Sequence, residues 1–238
     1  MAESLQTINP QHWILSNPDK VPDINSQWFN DKYWLNEGRL LGASSGRGSA
    51  WMVKSKNNKM MLRHYYRGGL PAKFIKDKYL WTGLNRTRSI KEFRLLQLMK
   101  NISLPVPEPI AAQVIKKGFF YEANLLIEYL PNSSTFAQIL NEENHEENWQ
   151  DIGKTIAKFH KQGINHSDLN ASNILVGEKI HLIDFDNSTQ MKTKRSWQKS
   201  NLNRLKRSID KLTDVEFIDT NMKKWKLLLE SYNQKIKT

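Results

Sequence analysis

The most constraining feature of this chain is a run of polar residues that begins at His166. Residues 166–173 read His-Ser-Asp-Leu-Asn-Ala-Ser-Asn, and two short apolar stretches, 174–176 and 180–183, then lead to Asp184. The order is H-x-D-x-x-x-x-N, strand, turn, strand and acid. Phosphoryl transfer from a nucleotide needs groups of these kinds in this order. One carboxylate serves the acceptor hydroxyl, and an amide and a second carboxylate hold the metal on the phosphates.

Each polar side chain in this run has a predicted role. Asp168 is the predicted catalytic residue, which orients the acceptor hydroxyl and accepts its proton. Asn173 and Asp184 are the predicted metal ligands, because Mg²⁺ prefers oxygen donors. Taken singly, these residues could instead cap a helix, lie in a turn or end a strand. Their joint spacing favours catalysis, with His166 supporting the loop through hydrogen bonds.

Features upstream of this run suit nucleotide binding. Three short antiparallel strands are predicted at 39–41, 50–54 and 60–65, and a Gly/Ser segment with Gly46 and Gly48 separates the first two. Glycines let the backbone approach phosphate oxygens, as in the loop that covers the triphosphate in kinases. A Gly/Ser segment alone is commonly just a loop. Its position ahead of the catalytic run is what favours phosphate binding here.

The cation that would bind the phosphates is open between two residues. Arg63 has the spacing expected of the third strand, and Lys54 lies one strand earlier. Glu92 falls in a predicted helix at 89–100, where a kinase carries the carboxylate that pairs with this cation. Ser89 and Glu92 also match a capping box, so Glu92 could cap the helix instead. Arg63 could likewise belong to an exposed basic face.

The remaining pattern predicts an α+β, protein-kinase-like fold of two lobes. Residues 1–36, with three X-Pro pairs, predict an N-terminal arm, and 37–128 predict an N-lobe with a small antiparallel sheet and one helix. Residues 129–238 predict a mostly helical C-lobe. Glu128 ends a hairpin strand and starts the connection between the lobes, where kinases bind adenine through the backbone. Glu128 is therefore predicted to line the cofactor site.

The chain of 238 residues has a formal net charge of +12, and the charge is unevenly spread. Eight Lys and Arg residues stand against one acid in 191–211, and ten stand against two acids in 63–100. Such tracts indicate either a solvated surface or an acidic partner. No apolar run suits a signal peptide or a membrane span, so we expect a protein of the cytosol or of the adjacent membrane surface. Because there is no cysteine, disulfides and zinc thiolate sites are excluded.

Three positions depart from ordinary protein kinases. Ser167 replaces the usual Arg between the His and the Asp, and Asn170 replaces the usual Lys two residues after the Asp. Asp186 stands where a Gly commonly follows Asp-Phe, and it could add a carboxylate at the metal or cap the next segment. These departures argue against a protein substrate and favour the kinases of small molecules and lipid-linked sugars.

The chain resembles the 3-deoxy-D-manno-octulosonic acid (Kdo) kinases, relatives of the heptose kinases of the lipopolysaccharide core. The resemblance covers roughly residues 28 to 190, and its most specific part is the Arg-His-Tyr-Tyr-Arg-Gly-Gly run at 63–69. The other segments that carry it are 28–29, 33–34, 46–48, 79–88, 92–96, 104–107, 166–173 and 184–186.

This resemblance implies transfer of phosphate from ATP, with Mg²⁺, to the 4-hydroxyl of Kdo on a lipid A precursor. The implied location is the cytoplasmic side of the inner membrane, as a peripheral protein. The expected partners are the Kdo-bearing lipid A precursor and an anionic membrane surface. No nucleic acid is expected, since aromatic residues do not interleave the basic tracts. Candidates for contacting acidic groups of the acceptor are Arg67, Lys73, Arg86 and Arg88.

Two alternatives stay open at this point. One is a kinase of another sugar, of an antibiotic or of a protein, although the departures at Ser167 and Asn170 disfavour protein. The other is a basic binding module on an inactive kinase scaffold, which the presence of Asp168, Asn173 and Asp184 disfavours.

Overall fold

The computed structural model describes residues 3–43, 50–56, 58–65, 79–143 and 146–238. The chain divides into two compact units. The first comprises the described residues up to Leu98 together with Pro107–Tyr129, and the second comprises Met99–Val106 together with Leu130–Thr238. The first is built mainly from antiparallel strands and the second mainly from helices, which agrees with the predicted α+β class.

The first unit is built on an eight-stranded antiparallel sheet with the order β1-β2-β7-β8-β5-β4-β3, in which β6 pairs with β8. The strands are β1 (Ser4–Asn9), β2 (His12–Ser16), β3 (Leu40–Ala43), β4 (Ala50–Ser55), β5 (Asn58–His64), β6 (Tyr79–Leu80), β7 (Pro109–Lys117) and β8 (Phe120–Glu128). Helix α1 (Asp31–Asn36) precedes β3, and helix α2 (Arg88–Asn101) contributes its residues 88–98 to this unit.

Residues 4–16, within the predicted N-terminal arm, form a β-hairpin that extends this sheet. Strand β1 pairs with β2, and β2 pairs antiparallel with β7, with His12 opposite Ile115. The prolines lie outside both strands, so none removes a hydrogen bond from the ladder. They are Pro10, Pro18 and Pro22. Pro10 lies in the turn between the two strands, and Pro18 lies in the turn that follows β2.

The segment that follows the hairpin packs against the sheet through its aromatic residues. A 3-10 helix at Ser26–Phe29 leads into α1. The indole N–H of Trp34 donates to the Trp28 carbonyl oxygen at 2.7 Å, and the two rings meet edge to face. Both belong to one apolar cluster with sheet residues, among them Val53, Met60 and Leu62. Full burial of such a side chain is worth ~2 to 3 kcal/mol, so this contact fixes the segment on the sheet.

Strands β3, β4 and β5 form at the three predicted positions and pair antiparallel. The predicted Gly/Ser loop, with Gly46 and Gly48, lies outside the described residues. Helix α2 begins at Arg88, so Ser89 lies inside the helix and is not its cap. The Ser89 hydroxyl instead donates to the Gln113 carbonyl oxygen of β7 at 3.1 Å. The predicted capping box is therefore wrong.

The second unit is organised around two helices, α4 (Glu146–Lys161) and α6 (Ile218–Lys237). Its other elements are β9 (Ser134–Thr135), α3 (Phe136–Ile139), β10 (Ile164–Asn165), β11 (Ile174–Val176), β12 (His181–Leu182), β13 (Thr189–Gln190) and α5 (Arg195–Leu212). Gly153 of α4 lies against α6, and a Cβ added there would be 2.2 Å from the Leu228 carbonyl oxygen. The two helices are thus closer at this point than any side chain would permit.

Among the residues that the structure describes, no helix combines the length and the apolar character that crossing a bilayer requires.

Candidate active site

The loop that carries Asp168 lies between β10 and β11 in the second unit, and His166 holds it in place. His166 is 2% exposed. Its Nδ1 accepts from the Asp168 backbone N–H at 3.2 Å, and its Nε2 donates to the Ile183 carbonyl oxygen at 3.0 Å. Burial lowers the pKa of His166, which favours the neutral ring that these two bonds require. The predicted supporting role of His166 is confirmed.

The Asp168 carboxylate projects from this loop with 60% of the side-chain surface exposed. Its Oδ2 accepts from Nδ2 of Asn170 at 3.1 Å, and its Oδ1 lies 3.7 Å from Nη1 of Arg204. A carboxylate that is oriented by an amide and open to solvent can reach an incoming hydroxyl. The geometry therefore suits the predicted catalytic role.

Asn173 lies one turn further along the same loop, with 8% exposure. Its Nδ2 donates to the Asp168 carbonyl oxygen at 2.9 Å. Its Oδ1 is therefore the amide atom that can coordinate a metal ion. The backbone N–H of Ile183 donates to the Asn173 carbonyl oxygen at 3.0 Å, which brings Asn173 beside the residue that precedes Asp184.

Asp184 has a φ of 63°, a left-handed conformation that is uncommon for residues other than glycine. Residues in such conformations cluster at functional sites. An amide oxygen and a carboxylate are donors that Mg²⁺ prefers, so Asn173 and Asp184 fit a magnesium site. Within the described ranges, no three acidic or histidine side chains cluster as metal ligands. The ion would therefore take its other ligands from phosphate oxygens and water, as Mg²⁺ commonly does.

Two of the three residues that depart from ordinary protein kinases fasten this loop with their side chains. The Asn170 Oδ1 accepts from the backbone N–H groups of Ser172 and Asn173, capping a 3-10 helix at Ala171–Asn173. The Ser167 hydroxyl donates to the Asp186 carbonyl oxygen, and the Ser167 backbone N–H donates to Ser188 Oγ at 3.0 Å. The segment after Asp184 is thereby tied to the catalytic loop. Whether the Asp186 carboxylate binds metal stays a prediction.

Helix α5 holds the same loop from outside, a role that its sequence pattern did not predict. Asn201 is 4% exposed, and its Oδ1 accepts from the His166 backbone N–H at 3.2 Å. The same oxygen lies 3.3 Å from Nε2 of His160, and the Asn201 Nδ2 donates to Asn165 Oδ1 at 3.0 Å. Two helical turns later, Ser208 Oγ accepts from the backbone N–H of Ala171 at 3.1 Å.

His160 and Tyr232 complete this buried polar network. The Tyr232 hydroxyl lies 2.8 Å from Nδ1 of His160, which leaves Nε2 to donate to Asn201. Burial lowers the pKa of His160 to about 4, so the ring is neutral near pH 7. Burial also raises the pKa of Tyr232 to about 12. The sequence did contain one signal for this network. Asn201 and Ser208 are polar residues on the apolar side of the helix.

In the first unit, the structure brings Arg63 and Glu92 together. Arg63 Nη1 lies 2.8 Å from Glu92 Oε1, and the Tyr65 hydroxyl donates to Glu92 Oε2 at 2.5 Å. The Glu92 side chain is 1% exposed and that of Arg63 20%. Lys54 is exposed and sits in register with Lys59. Glu92 therefore pairs with Arg63 and does not cap α2, while the role of Arg63 toward phosphate stays a prediction.

Glu128 is engaged with Glu108 at the end of β8. Its backbone N–H donates to the Glu108 carbonyl oxygen at 2.9 Å, and its Oε2 accepts from the Glu108 N–H at 3.1 Å. Its place in nucleotide binding stays a prediction.

Among the acceptor candidates, Arg88 Nη1 donates to the Tyr79 hydroxyl at 3.0 Å, and its guanidinium lies 4.5 Å from the centre of that ring. Arg86 is exposed. Arg67 and Lys73 lie outside the described residues.

Solved structures share this fold. The structure titled "WaaP in complex with acyl carrier protein" matches 98% of this chain and 89% of its own, with a TM-score of 0.55 and 13% identity. An amicoumacin kinase, hAmiN, solved with AMP-PNP and Ca²⁺, matches 87% of this chain and 78% of its own, with a TM-score of 0.59 and 11% identity. The fold is that of the protein-kinase-like enzymes, as predicted.

Sequence comparison defines the family within that fold. The model of the lipopolysaccharide kinase (Kdo/WaaP) family matches residues 31–232. The 3-deoxy-D-manno-octulosonic acid kinase of Vibrio cholerae serotype O1 is 43% identical over 211 residues, which cover 87% of this chain and 89% of that relative. The chain belongs to the lipopolysaccharide kinase (Kdo/WaaP) family. The predicted family resemblance is confirmed.

Proposed function

We propose that this protein transfers the γ-phosphate of ATP to the 4-hydroxyl of Kdo on a lipid A precursor, in assembly of the lipopolysaccharide core. The observation that carries the proposal is the catalytic loop, in which Asn170 orients an accessible Asp168 carboxylate and Asn173 donates to the Asp168 carbonyl oxygen. The substrate follows from the relatives described as Kdo kinases. Retention of all three polar side chains argues against an inactive scaffold.

The residues divide the reaction between them. Asp168 accepts the proton of the acceptor hydroxyl. The hydroxyl oxygen bonds to the γ-phosphorus as the bond between that phosphorus and the ADP oxygen breaks. Asn173 Oδ1 and the Asp184 carboxylate would hold Mg²⁺, which neutralises charge on the phosphates. Arg63, fixed by Glu92, is assigned to the phosphates of ATP.

The test is transfer of labelled γ-phosphate from ATP to a purified Kdo-bearing lipid A precursor. Loss of a catalytic base costs ~10²- to 10⁴-fold in rate, so Asp168→Ala should fall by that factor. The matched control is Asp151→Ala, which removes an exposed aspartate of α4 and should leave the rate unchanged. Absence of lipid labelling by the wild-type protein, with ATP still bound, would refute the proposed acceptor and direct the search to other sugars.

The assignment of the metal has its own test, independent of turnover. We expect AMP-PNP with Mg²⁺ to raise the melting temperature more than AMP-PNP alone, and Asp184→Asn to lose that difference. Asparagine tolerates the left-handed backbone at this position, so the variant removes charge without adding backbone strain. An unchanged Mg²⁺ effect in Asp184→Asn would remove Asp184 from the metal site.

We also propose peripheral attachment to the cytoplasmic face of the inner membrane. A patch at the tip of the β7–β8 hairpin supports this. It consists of the exposed Leu80 and Phe119 and the half-buried Trp81 and Lys116, and is named here the hairpin patch. Phe119 is 84% exposed and Leu80 61%, and Lys116 Nζ lies 5.2 Å from the centre of the Trp81 ring. Aromatic and aliphatic side chains beside lysine are typical of the bilayer interface. A lysine near an anionic leaflet gains ~1 kcal/mol.

Co-sedimentation with vesicles tests this attachment. The protein should pellet with vesicles that contain anionic phospholipid and remain in solution with neutral ones. Phe119→Ser should weaken binding by ~10-fold, because it removes most of the exposed apolar area of the hairpin patch. Val215→Ser is the control, since Val215 is 87% exposed outside the patch. Equal binding of Phe119→Ser and wild type would exclude the patch, and binding of neither to anionic vesicles would exclude the membrane.

A further inference from the structure

One face of helix α5 lies along both ends of the catalytic loop. Asn201 accepts the His166 backbone N–H before Asp168, and Ser208 accepts the Ala171 backbone N–H after it. Residues seven positions apart lie on one face of a helix, and a residue three or four positions from each lies between them. Arg204 occupies that position. Its backbone thus lies between the two contacts that join α5 to the catalytic loop.

The guanidinium of Arg204 has donors to spare at this place. Nη1 lies 3.7 Å from Asp168 Oδ1, which is too long for a hydrogen bond. Nε is buried and has no hydrogen-bond partner among the described residues. The side chain is nevertheless 42% exposed, so its outer edge reaches solvent. A guanidinium carries five N–H donors in a planar fork, and the Nη1 end of this fork lies near Asp168.

A role confined to Asp168 does not account for this geometry. An arginine that serves to orient a carboxylate binds it with short, paired hydrogen bonds at ~2.7 to 2.9 Å. Here a single long contact joins two side chains that are 42% and 60% exposed, and such pairs contribute little. Asp168 already receives its orientation from Asn170. The donors of Arg204 are therefore available to another anion.

The surroundings on α5 also favour an anion. Arg207 and Lys211 follow Arg204 at three and seven positions, so they lie on the same side of the helix, and both are exposed. The acid of this helix, Asp210, pairs with Lys206. A cationic stripe thus leads up to Asp168, and it attracts a negatively charged acceptor toward that carboxylate.

We propose that Arg204 binds the carboxylate of the acceptor sugar and so selects a sugar acid over a neutral sugar. This inference rests on the proposed function, in which the acceptor is a 2-keto-3-deoxy sugar acid. In such a sugar the carboxylate is attached to C2 and the reacting hydroxyl to C4 of the same ring. Arg204 and Asp168 are close enough to engage both groups of one sugar. A carboxylate also matches the planar fork of arginine, which a lysine does not reproduce.

The test compares two acceptors in the labelled-phosphate assay: the Kdo-bearing lipid and the same lipid with the Kdo carboxylate converted to a carboxamide. Charge-assisted hydrogen bonds of this kind change affinity by ~10- to 100-fold. Wild type should therefore show a KM for the carboxamide that is higher by that factor. Arg204→Gln should raise the KM for the acid to the same extent, leave the KM for ATP unchanged, and show little preference between the two acceptors. Arg204→Lys should recover part of that preference.

Arg195→Gln is the matched control, because it makes the same substitution at an exposed position of α5, nine residues away. It should change the KM for either acceptor less than twofold.

A third acceptor, lacking the lipid A phosphates, distinguishes the two sources of negative charge. Arg204→Gln should still raise the KM for this acceptor while its Kdo carboxylate is intact.

Four outcomes would overturn the assignment. Equal losses with acid and carboxamide, or a loss in kcat alone, would place Arg204 with Asp168 and not with the acceptor. An effect of Arg204→Gln that disappears when the lipid A phosphates are removed would make phosphate the ligand. Wild-type labelling that shows no preference for the acid would remove carboxylate recognition altogether. The proposed function fails separately, when wild type labels none of the acceptors.

Discussion

Protonation of the buried His160 should make this protein markedly less stable below pH 6. His160 lies between Tyr232 of α6 and Asn201 of α5, accepting from one and donating to the other. Protonation would place a second proton on Nδ1, where the Tyr232 hydroxyl now donates, and would put a charge among buried groups. The substitution that tests this is His160→Gln, because glutamine keeps one acceptor and one donor without titrating.

The size of the effect follows from the two pKa values. Burial lowers the pKa of His160 from 6.5 to about 4 in the folded state, and the unfolded chain keeps the ordinary value. Between these values the unfolded state binds more protons, so stability falls as the pH falls. At pH 5 the linkage relation gives a loss of about 2 kcal/mol relative to pH 7.5. The loss approaches about 3 kcal/mol below pH 4. His166, whose pKa burial also lowers, adds a loss in the same direction.

The assay is urea denaturation of wild type and His160→Gln at pH 7.5 and pH 5. Carboxylates and other histidines titrate in both proteins, so the comparison uses the difference between the two pH differences. His160→Gln should lose about 2 kcal/mol less than wild type between the two pH values. An identical pH dependence in both proteins would refute the reasoning, because it would mean that His160 is not buried as a neutral ring.

Three further substitutions test separate parts of the structure. Gly153→Ala should destabilise the fold by about 2 kcal/mol or more in urea denaturation, since the added methyl group meets the Leu228 carbonyl oxygen. In an ordinary helix the same exchange stabilises by about 1 kcal/mol, and such a gain here would contradict the close contact. Asn201→Ala should cost about 3 kcal/mol and lower kcat, because it leaves the His166 backbone N–H unsatisfied, whereas the exposed Asn203→Ala should change neither. Arg63→Met should raise the KM for ATP at least ~10-fold while Lys54→Met leaves it unchanged; the reverse pattern would move phosphate binding to Lys54.

Much of this protein can be predicted because the signals are local. The spacing from His166 to Asn173 places three polar groups on one short loop, and that spacing is set by a few consecutive backbone angles. Alternating apolar residues with a Lys-Gly turn predict the β7–β8 hairpin for the same reason, since pairing partners are near in sequence. The α+β class and the predicted order of its elements followed from such local patterns.

Choices between residues that compete for one role needed the tertiary structure. The sequence allowed Glu92 either to cap α2 or to form an ion pair. The packing of α2 on β5 and β7 brings Glu92 to Arg63, so it forms the ion pair. The sequence predicts an arm where the first hairpin lies, because joining a sheet depends on the register with β7, about a hundred residues away in sequence. Local propensity carries no information on such a partner.

The catalytic loop shows the same division at atomic scale. Its sequence determines which groups are present: a carboxylate at 168, an amide at 173 and a carboxylate at 184. The tertiary structure decides how they are held, through Ser167 bound to Asp186 and through Asn201 and Ser208 brought in by a helix some thirty residues later. A side chain can be fixed to within a few tenths of an ångström only when several elements pack on it at once, and that packing involves contacts between distant parts of the chain.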